Sequence, residues 1–144
     1  MRLSSPVAIA AVVAMAVFSA ALVAGPAVKF TEGSTWALPG TASDLRWLEI
    51  HKIEGIGADA VYHVSVLSRR KADPVWNLKY AVPHMAITDA ALGRSVAPAA
   101  SRMGAAYPET YEEAYRGWRA LREKGTAPIC TTTVLECAHL LGSP

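Results

Sequence analysis

Three observations predict an α+β domain built on an antiparallel sheet. Apolar and polar residues largely alternate over three stretches, Leu45 to Ile53, Val61 to Leu67 and Val75 to Val82. Such alternation, with β-branched and aromatic enrichment, is typical of β-strands. The intervening segments are short and suit hairpin loops rather than crossover helices. The predicted fold is a three-stranded or slightly larger antiparallel meander with two to three helices packed on one face and one disulfide.

The N-terminus has the layout of an export signal. Arg2 precedes an apolar run from Val7 to Val23, and small residues that suit cleavage after Ala21 or Ala24 follow it. We therefore divide the chain into a signal peptide at 1–24, an extended lead-in at 25–44 and one α+β domain at 45–144. An uncleaved membrane anchor is the alternative, because the run is just long enough to span a bilayer. Cleavage predicts a periplasmic or secreted protein without stable membrane insertion.

Length and charge narrow the classes of partner. The chain has 144 residues and a formal net charge of +2, which becomes +1 when Arg2 is removed with the leader. About 120 residues suffice for one core without metals or several cross-links. A nearly neutral chain argues against nucleic acid as a partner.

Placing each hairpin turn at the middle of the segment between two predicted strands gives a strand register. In this register the two faces of the sheet differ in polarity. Leu48 would lie opposite Val66 and Leu78 on an apolar face, which we expect helices to cover. The opposite face would be polar and solvent-exposed. Its predicted rows are Trp47, Leu67 and Asn77; Glu49, Ser65 and Lys79; and His51, His63 and Ala81.

The lead-in and the segment after the meander contain weaker signals. A short edge strand is expected around Lys29 to Thr31, and Trp36 is expected to pack on the domain. Thr88 is a suitable N-cap, and Asp89 behind it favours a short helix from Asp89 to Val96.

The clearest helix is predicted from Pro108 to Lys124, with Gly125 as its terminator. Acidic residues at its start and basic residues at its end complement the helix dipole. One stripe at helical spacing consists of Tyr111, Ala114, Tyr115, Trp118 and Leu121. We expect this stripe to cover the apolar face of the sheet, with an aromatic ligand box as the alternative.

The C-terminal element carries both cysteines. Thr133 and Glu136 have capping-box spacing, so a helix should start near Val134. In an exported protein, Cys130 and Cys137 predict a disulfide that pins this helix, provided that Cys130 lies in the preceding loop. A thiol nucleophile or a metal site with His139 is the alternative, but the spacing fits neither and a fourth metal ligand is missing.

The polar face of the sheet is the candidate binding face. His51 and His63 would be cross-strand neighbours, and Glu49 is two residues from His51, so a shared metal ion is conceivable. Ordinary solvated polar residues are the competing interpretation, and His84 is interpreted as a structural residue at a strand end. The candidate face comprises Trp47, Glu49, His51, His63, Ser65, Leu67 and Lys79.

Three segments carry a resemblance to a known kind of protein. They are Pro83 to Thr88, Tyr107 to Tyr115 and Pro128 to Cys137. Together they resemble a family of small exported proteobacterial proteins with no assigned function, over most of the chain from Trp47 to Cys137. The resemblance implies a periplasmic single-domain protein and no catalytic residues.

The functional expectation follows from the absence of catalytic motifs in the sequence and from the candidate binding face on the sheet. The sequence contains no nucleophile elbow, no His-Glu-x-x-His and no phosphate loop. We expect a non-enzymatic binding or inhibitor protein without a cofactor, which acts on a cell-envelope protein or enzyme as immunity proteins do. The alternatives are a metal-binding envelope protein that uses His51 and His63 and, more remotely, a small hydrolase.

Overall fold

The computed structural model describes residues 29–74, 77–97, 100–101 and 109–141. Within them the chain forms an antiparallel sheet with the strand order β4-β3-β2-β1-β5, where β5 has two residues. A 3-10 turn at Gly57–Asp59 joins β2 to β3. The elements in chain order are β1 (Thr35–Leu38), β2 (Asp44–Glu54), β3 (Val61–Arg70), β4 (Lys79–Thr88), α1 (Asp89–Ser95), β5 (Ala100–Ser101), α2 (Glu109–Glu123) and α3 (Val134–Leu140).

The α+β class, the antiparallel meander and the disulfide are confirmed. Strands β2, β3 and β4 pair in sequence order, as hairpin-connected strands do. The β1 strand extends this sheet and lies a few residues after the expected Lys29 to Thr31. Trp36 is buried in the core, as predicted. The predicted leader at 1–24 lies outside the described residues.

The register of β2 on β3 is correct in its first half and shifts at a bulge. Leu48 pairs with Val66 and Glu49 with Ser65, as expected. At His51 the ladder skips one residue, so that Lys52 rather than His51 lies opposite His63. Such an insertion is a β-bulge, which alternation alone does not reveal.

The third strand of the meander is displaced toward the C-terminus. It was predicted to end at Val82, whereas β4 continues through Pro83 to Thr88. Proline is tolerated there because β4 is the edge of the sheet in the described part of the chain. Lys79 consequently lies opposite Ser68 rather than beside Ser65, and Tyr80 replaces Asn77 opposite Leu67.

The apolar face is covered by two short helices. Thr88 caps α1 through its side chain, and Thr133 and Glu136 form the predicted capping box of α3. Ser95 joins these helices, because its hydroxyl accepts a 2.9 Å hydrogen bond from the Val134 amide. Beneath the helices lies the core, which includes Leu48, Ile50, Val64, Val66, Ile87, Leu92 and Val134.

Helix α2 packs on the opposite, polar face of the sheet. Its aromatic residues Tyr111, Tyr115 and Trp118 form a cluster with Ala86 that is separate from the main core. The expectation that this stripe covers the apolar face is therefore wrong. The histidine rings of the polar face instead contact the aromatic rings of α2.

The disulfide anchors the C-terminal segment to the edge strand. Cys130 and Cys137 are bonded, with Cα atoms 6.0 Å apart. Cys130 lies before α3, as expected, and forms a parallel bridge to Ile87 of β4. Its amide donates to the Ala86 carbonyl at 2.8 Å, and its carbonyl accepts from the Thr88 amide at 3.0 Å. Across the described ranges, no helix is long and apolar enough to cross a membrane.

Candidate functional site

Most of the predicted binding face lies beneath α2. Glu49, His51, His63 and Ser65 are all buried, with side-chain environments closed to bulk water. The expectation of a solvent-exposed face is therefore wrong for these four residues. Trp47 and Leu67, opposite each other at one end of the face, remain half-buried. Lys79 is exposed, but it pairs with Ser68 and so lies on the other face of the sheet, which makes its assignment to the candidate face wrong.

The bulge at His51 places three histidines in one cluster, in which His51 and His63 are buried and His84 is half-buried. His63 and His84 lie in parallel planes, and His63 Nδ1 is 3.0 Å from His84 Nε2. His84 thus lies in the middle of β4 beside His63, although we predicted a residue at a strand end. The pairing of His51 with His63 is replaced by a pairing of His63 with His84.

A chain of polar contacts leads from His84 to the surface. His63 Nε2 faces Glu54 Oε2 at 3.6 Å, and Tyr115 donates a 2.7 Å hydrogen bond to Glu54 Oε1. Lys52 donates to the same Tyr115 hydroxyl at 2.8 Å. If His63 carries its proton on Nε2, toward the carboxylate, then Nδ1 accepts from His84 and both rings are neutral.

Glu49, His51 and Ser65 supply the residue types of a catalytic triad but not its geometry. Ser65 donates its proton to the Pro83 carbonyl, so His51 Nε2 must donate to Ser65 Oγ, at 2.8 Å. A nucleophile needs the reverse, a histidine that accepts the hydroxyl proton. Glu49 approaches the same Nε2 atom, at 3.5 Å, instead of orienting the ring through Nδ1. This trio is a buried polar network.

The aromatic stripe of α2 closes the cluster by ring contacts. Tyr111 lies 4.1 Å from the His51 ring between centroids, and Trp118 lies 4.7 Å from the His63 ring. Tyr115 lies 5.0 Å from His63. Tyrosine and tryptophan suit this position because each provides an apolar ring and a polar atom that needs a partner. The Trp118 indole donates to the Pro128 carbonyl at 2.8 Å.

Burial keeps the histidines neutral. It lowers the pKa of His51 and that of His84 to about 4 each. Neighbouring His63 and His51 lower the pKa of His84 further, since like charges repel. Burial also lowers the pKa of His63, against the opposing attraction of Glu54.

The pKa values of the two carboxyl groups of the cluster shift in opposite directions. Burial raises the pKa of Glu49 to about 7, and a hydrogen bond with Tyr80 only partly opposes this rise. Burial also acts to raise the pKa of Glu54, but the hydrogen bond from Tyr115 and the charges of His63 and Lys52 outweigh it and lower that pKa. Glu54 is therefore the ionised carboxylate of the cluster.

The described residues of this cluster do not form a set of metal ligands. Among the described residues, no group of three or more His, Cys, Asp or Glu side chains could hold a metal ion. His51 and His63 each make a ring-nitrogen hydrogen bond to a protein partner, Ser65 and His84 respectively. His84, Glu54 and Tyr115 are the cluster residues that sequence reasoning missed.

An apolar groove lies beside this cluster. It runs between α2, the edge strand β4 and the disulfide-linked C-terminal segment, and its volume is about 450 Å³. His84 is the titratable side chain among its described lining residues. The lining otherwise consists of Met85, Ala86, Ala114, Gly117, Trp118, Leu121, Pro128, Ile129, Cys130, Cys137, Leu140 and Leu141.

Three leucines expose apolar surface along this groove. Leu140 is 83% exposed, Leu141 is 56% exposed and Leu121 is 41% exposed, whereas most other large apolar side chains of the described residues are at least partly buried. A contiguous exposed apolar patch beside a concavity is typical of interaction sites. The groove is therefore the described feature of the surface most suited to binding.

Comparison with known proteins identifies a family whose function is unknown. Residues 8–141 match the family described as "Domain of unknown function (DUF5086)". No curated protein matches the chain.

Proposed function

The chain belongs to the DUF5086 family, whose function is unknown, and we propose that it is a non-enzymatic binding protein of the cell envelope. Its partner contributes an apolar segment to the groove between α2, β4 and α3. Inhibition of an envelope enzyme, in the manner of immunity proteins, is the form of binding that we favour. The observation that carries the proposal is the groove with its exposed leucines.

The shape and lining of the groove favour a protein segment as its occupant. Leu121 projects from α2, and Leu140 and Leu141 lie at the end of α3, so the apolar surface extends beyond the concavity itself. Interfaces combine such an apolar centre with a polar rim. The edge strand β4 already pairs with Cys130 through one parallel bridge, and this pairing supports an extended partner segment at the same edge.

The buried titratable groups of the polar cluster, His51 and His63, support binding rather than catalysis. His51 and His63 are buried and engaged with protein partners, and Ser65 donates to a backbone carbonyl. A general base or nucleophile must reach a substrate atom directly or through one water. We infer that these groups hold α2 on the sheet. The helix positioned in this way forms one wall of the groove.

The proposed location in the envelope rests on two features. The segment from Arg2 to Val23 has the layout of an export signal, and the single pair of cysteines in the chain forms a disulfide. Disulfides persist in oxidising compartments and are rare in the cytosol. Together they favour a periplasmic or secreted protein.

Affinity capture with matched surface variants tests the proposed function. The oxidised domain, tagged after Pro144, is incubated with an envelope extract, and bound proteins are quantified by mass spectrometry. Leu121→Asp and Leu140→Asp should each reduce capture of a stoichiometric partner at least tenfold, because a carboxylate in an apolar contact is costly. Addition of the unmodified domain to that purified partner should then alter its activity in a one-to-one ratio.

Two control variants decide which surface acts. Ile56→Asp changes a side chain that is 89% exposed in the β2–β3 connection, away from the groove, and should leave capture intact. Trp47→Ala tests the half-buried end of the sheet face. Loss of capture with Trp47→Ala but not with the leucine variants would reject the groove and return the binding site to the sheet face.

A further inference from the structure

A second groove, on the opposite face of the sheet, carries positive charge. It has a volume of about 690 Å³ and lies between the ends of β2, β3 and β4 and one side of α3. Leu135 of α3 contributes half-buried apolar surface, and Val66 and Ala138, which are almost fully buried, lie at the floor of the groove. The groove shares none of its described lining residues with the groove proposed for the protein partner.

The register of the sheet places two cations on either side of a hydroxyl group. Arg46 of β2 lies directly opposite Ser68 of β3, and Lys79 of β4 lies directly opposite Ser68 on its other side. Residues paired across strands point to the same face, with Cβ atoms about 5 Å apart. Arg46 and Lys79 are therefore about 10 Å apart at Cβ, a gap that an anion above Ser68 fills. Arg70 follows two residues later on the same face.

Basic side chains outnumber acidic ones in this groove. Its described lining includes Arg46, Arg69, Arg70 and Lys79 but only Asp44 and Asp73, and Asp44 lies directly opposite Arg70. Within the described ranges, Arg46, Arg70 and Lys79 form no ion pair. The Asp44 carboxylate accepts hydrogen bonds of 3.2 Å each from the Thr41 and Ser43 hydroxyls. The Asp73 carboxylate accepts a 2.9 Å hydrogen bond from the Asn77 amide. An excess of positive charge therefore faces the groove.

We propose that this groove binds a small phosphomonoester. A guanidinium, an ammonium and a hydroxyl group around one point supply the donors that a phosphate accepts. The phosphate would lie above Ser68 between Arg46 and Lys79. Since the groove is much larger than a phosphate, the organic part of the ligand packs against Leu135.

Titration with phenyl phosphate, followed by NMR of the ¹⁵N-labelled oxidised domain, tests this proposal. Phenyl phosphate should shift the amide signals of Ser68, Lys79 and Leu135, and inorganic phosphate should shift the first two more weakly. Arg46→Gln and Lys79→Gln should each raise the Kd about tenfold, as the loss of one charge-assisted hydrogen bond does. Dispersed spectra verify that each variant is folded.

Matched variants in α2 and just after its end distinguish a specific site from general electrostatic attraction. Arg119→Gln and Lys124→Gln remove exposed positive charges outside the groove and should leave the Kd unchanged. Equal weakening by these two variants would overturn the site in favour of non-specific charge attraction. An unchanged Kd in Arg46→Gln and Lys79→Gln would also overturn it. Tighter binding of benzoate than of phenyl phosphate would reject the assignment to phosphate.

Discussion

His84 is the residue that connects the buried cluster to the apolar groove. Its Nε2 atom bonds His63, which is fully buried, and its ring contacts Tyr111, Tyr115 and Trp118. Without His84, the Nδ1 atom of His63 would lose its partner in a closed environment. An unsatisfied buried polar atom costs more than the hydrogen bond itself contributes.

We therefore expect His84→Ala to lower the free energy of unfolding by about 1–3 kcal/mol, the usual cost of an unpaired buried polar group. Urea denaturation monitored by tryptophan fluorescence measures the change. His139→Ala is the matched control, since His139 is exposed near the end of α3 and should change stability by less than about 0.5 kcal/mol. Equal stability of both variants would contradict the structural role of the histidine pair.

The shifted pKa values predict that acid destabilises the protein. His51 and His84 have folded pKa values of about 4, and His63 is also lowered, whereas unfolded histidine titrates near 6.5. Unfolding therefore takes up protons between about pH 6.5 and pH 4, so stability falls as the pH is lowered through this window. Glu49 opposes this trend, because its folded pKa of about 7 makes unfolding release one proton between pH 4.5 and pH 7.

Three histidines outweigh one carboxyl group, so the net slope is set by the histidines. Urea denaturation at half-unit steps from pH 7 to pH 4.5 should show a decreasing free energy of unfolding below pH 6.5. His84→Gln should flatten this dependence, since it removes one group that takes up a proton on unfolding. Stability that is constant or increases on acidification would show that the histidines are not kept neutral by burial.

At the scale of elements, the sequence predicted β2, β3 and the three helices because each carries a local signal. Alternation marks the strands, and Thr88 and the capping box at Thr133 mark two helix starts. The bulge at His51 and the extension of β4 through Pro83 carry no such signal. Both depend on pairing with neighbouring strands, which a single segment does not encode.

The placement of α2 was mispredicted for a physical reason. An alternating polar face usually faces water, so the aromatic stripe was assigned to the apolar face. Here the polar groups form hydrogen bonds with one another and with the Tyr115 hydroxyl of α2. These hydrogen bonds offset the cost of burying the polar groups. Tyr111 and Tyr115 in the stripe were the available signal, because buried tyrosine hydroxyls need polar partners.

Helix α3 depends on its disulfide and on the bridge from Cys130 to β4. Replacing Cys130 and Cys137 together by Ser should lower the free energy of unfolding by about 2–3 kcal/mol, the chain-entropy value for so short a loop. Denaturation of the oxidised protein and the double variant measures the difference. Reduction of the unsubstituted chain should reproduce this loss, and the double variant should not respond to reductant. Equal stability before and after reduction would mean that packing alone holds α3.

At the scale of the whole molecule, the sheet separates two surfaces with different chemistry. One face carries α2, which covers the histidine cluster and forms a wall of the apolar groove. The other face carries α1 and α3, with the positively charged groove at its end. The sequence predicted the class of this architecture, but both grooves arise from elements distant in the chain. Neither groove could be identified from a motif.

We propose that the apolar groove, rather than the sheet face, contacts an envelope partner. Photocrosslinking in intact cells tests it most directly, with benzoylphenylalanine placed at Leu140 or at Ile56, which are 83% and 89% exposed. We predict one dominant crosslinked protein from position 140 and none from position 56. No adduct at 140, or the same adduct from both positions, would contradict a partner bound in the groove.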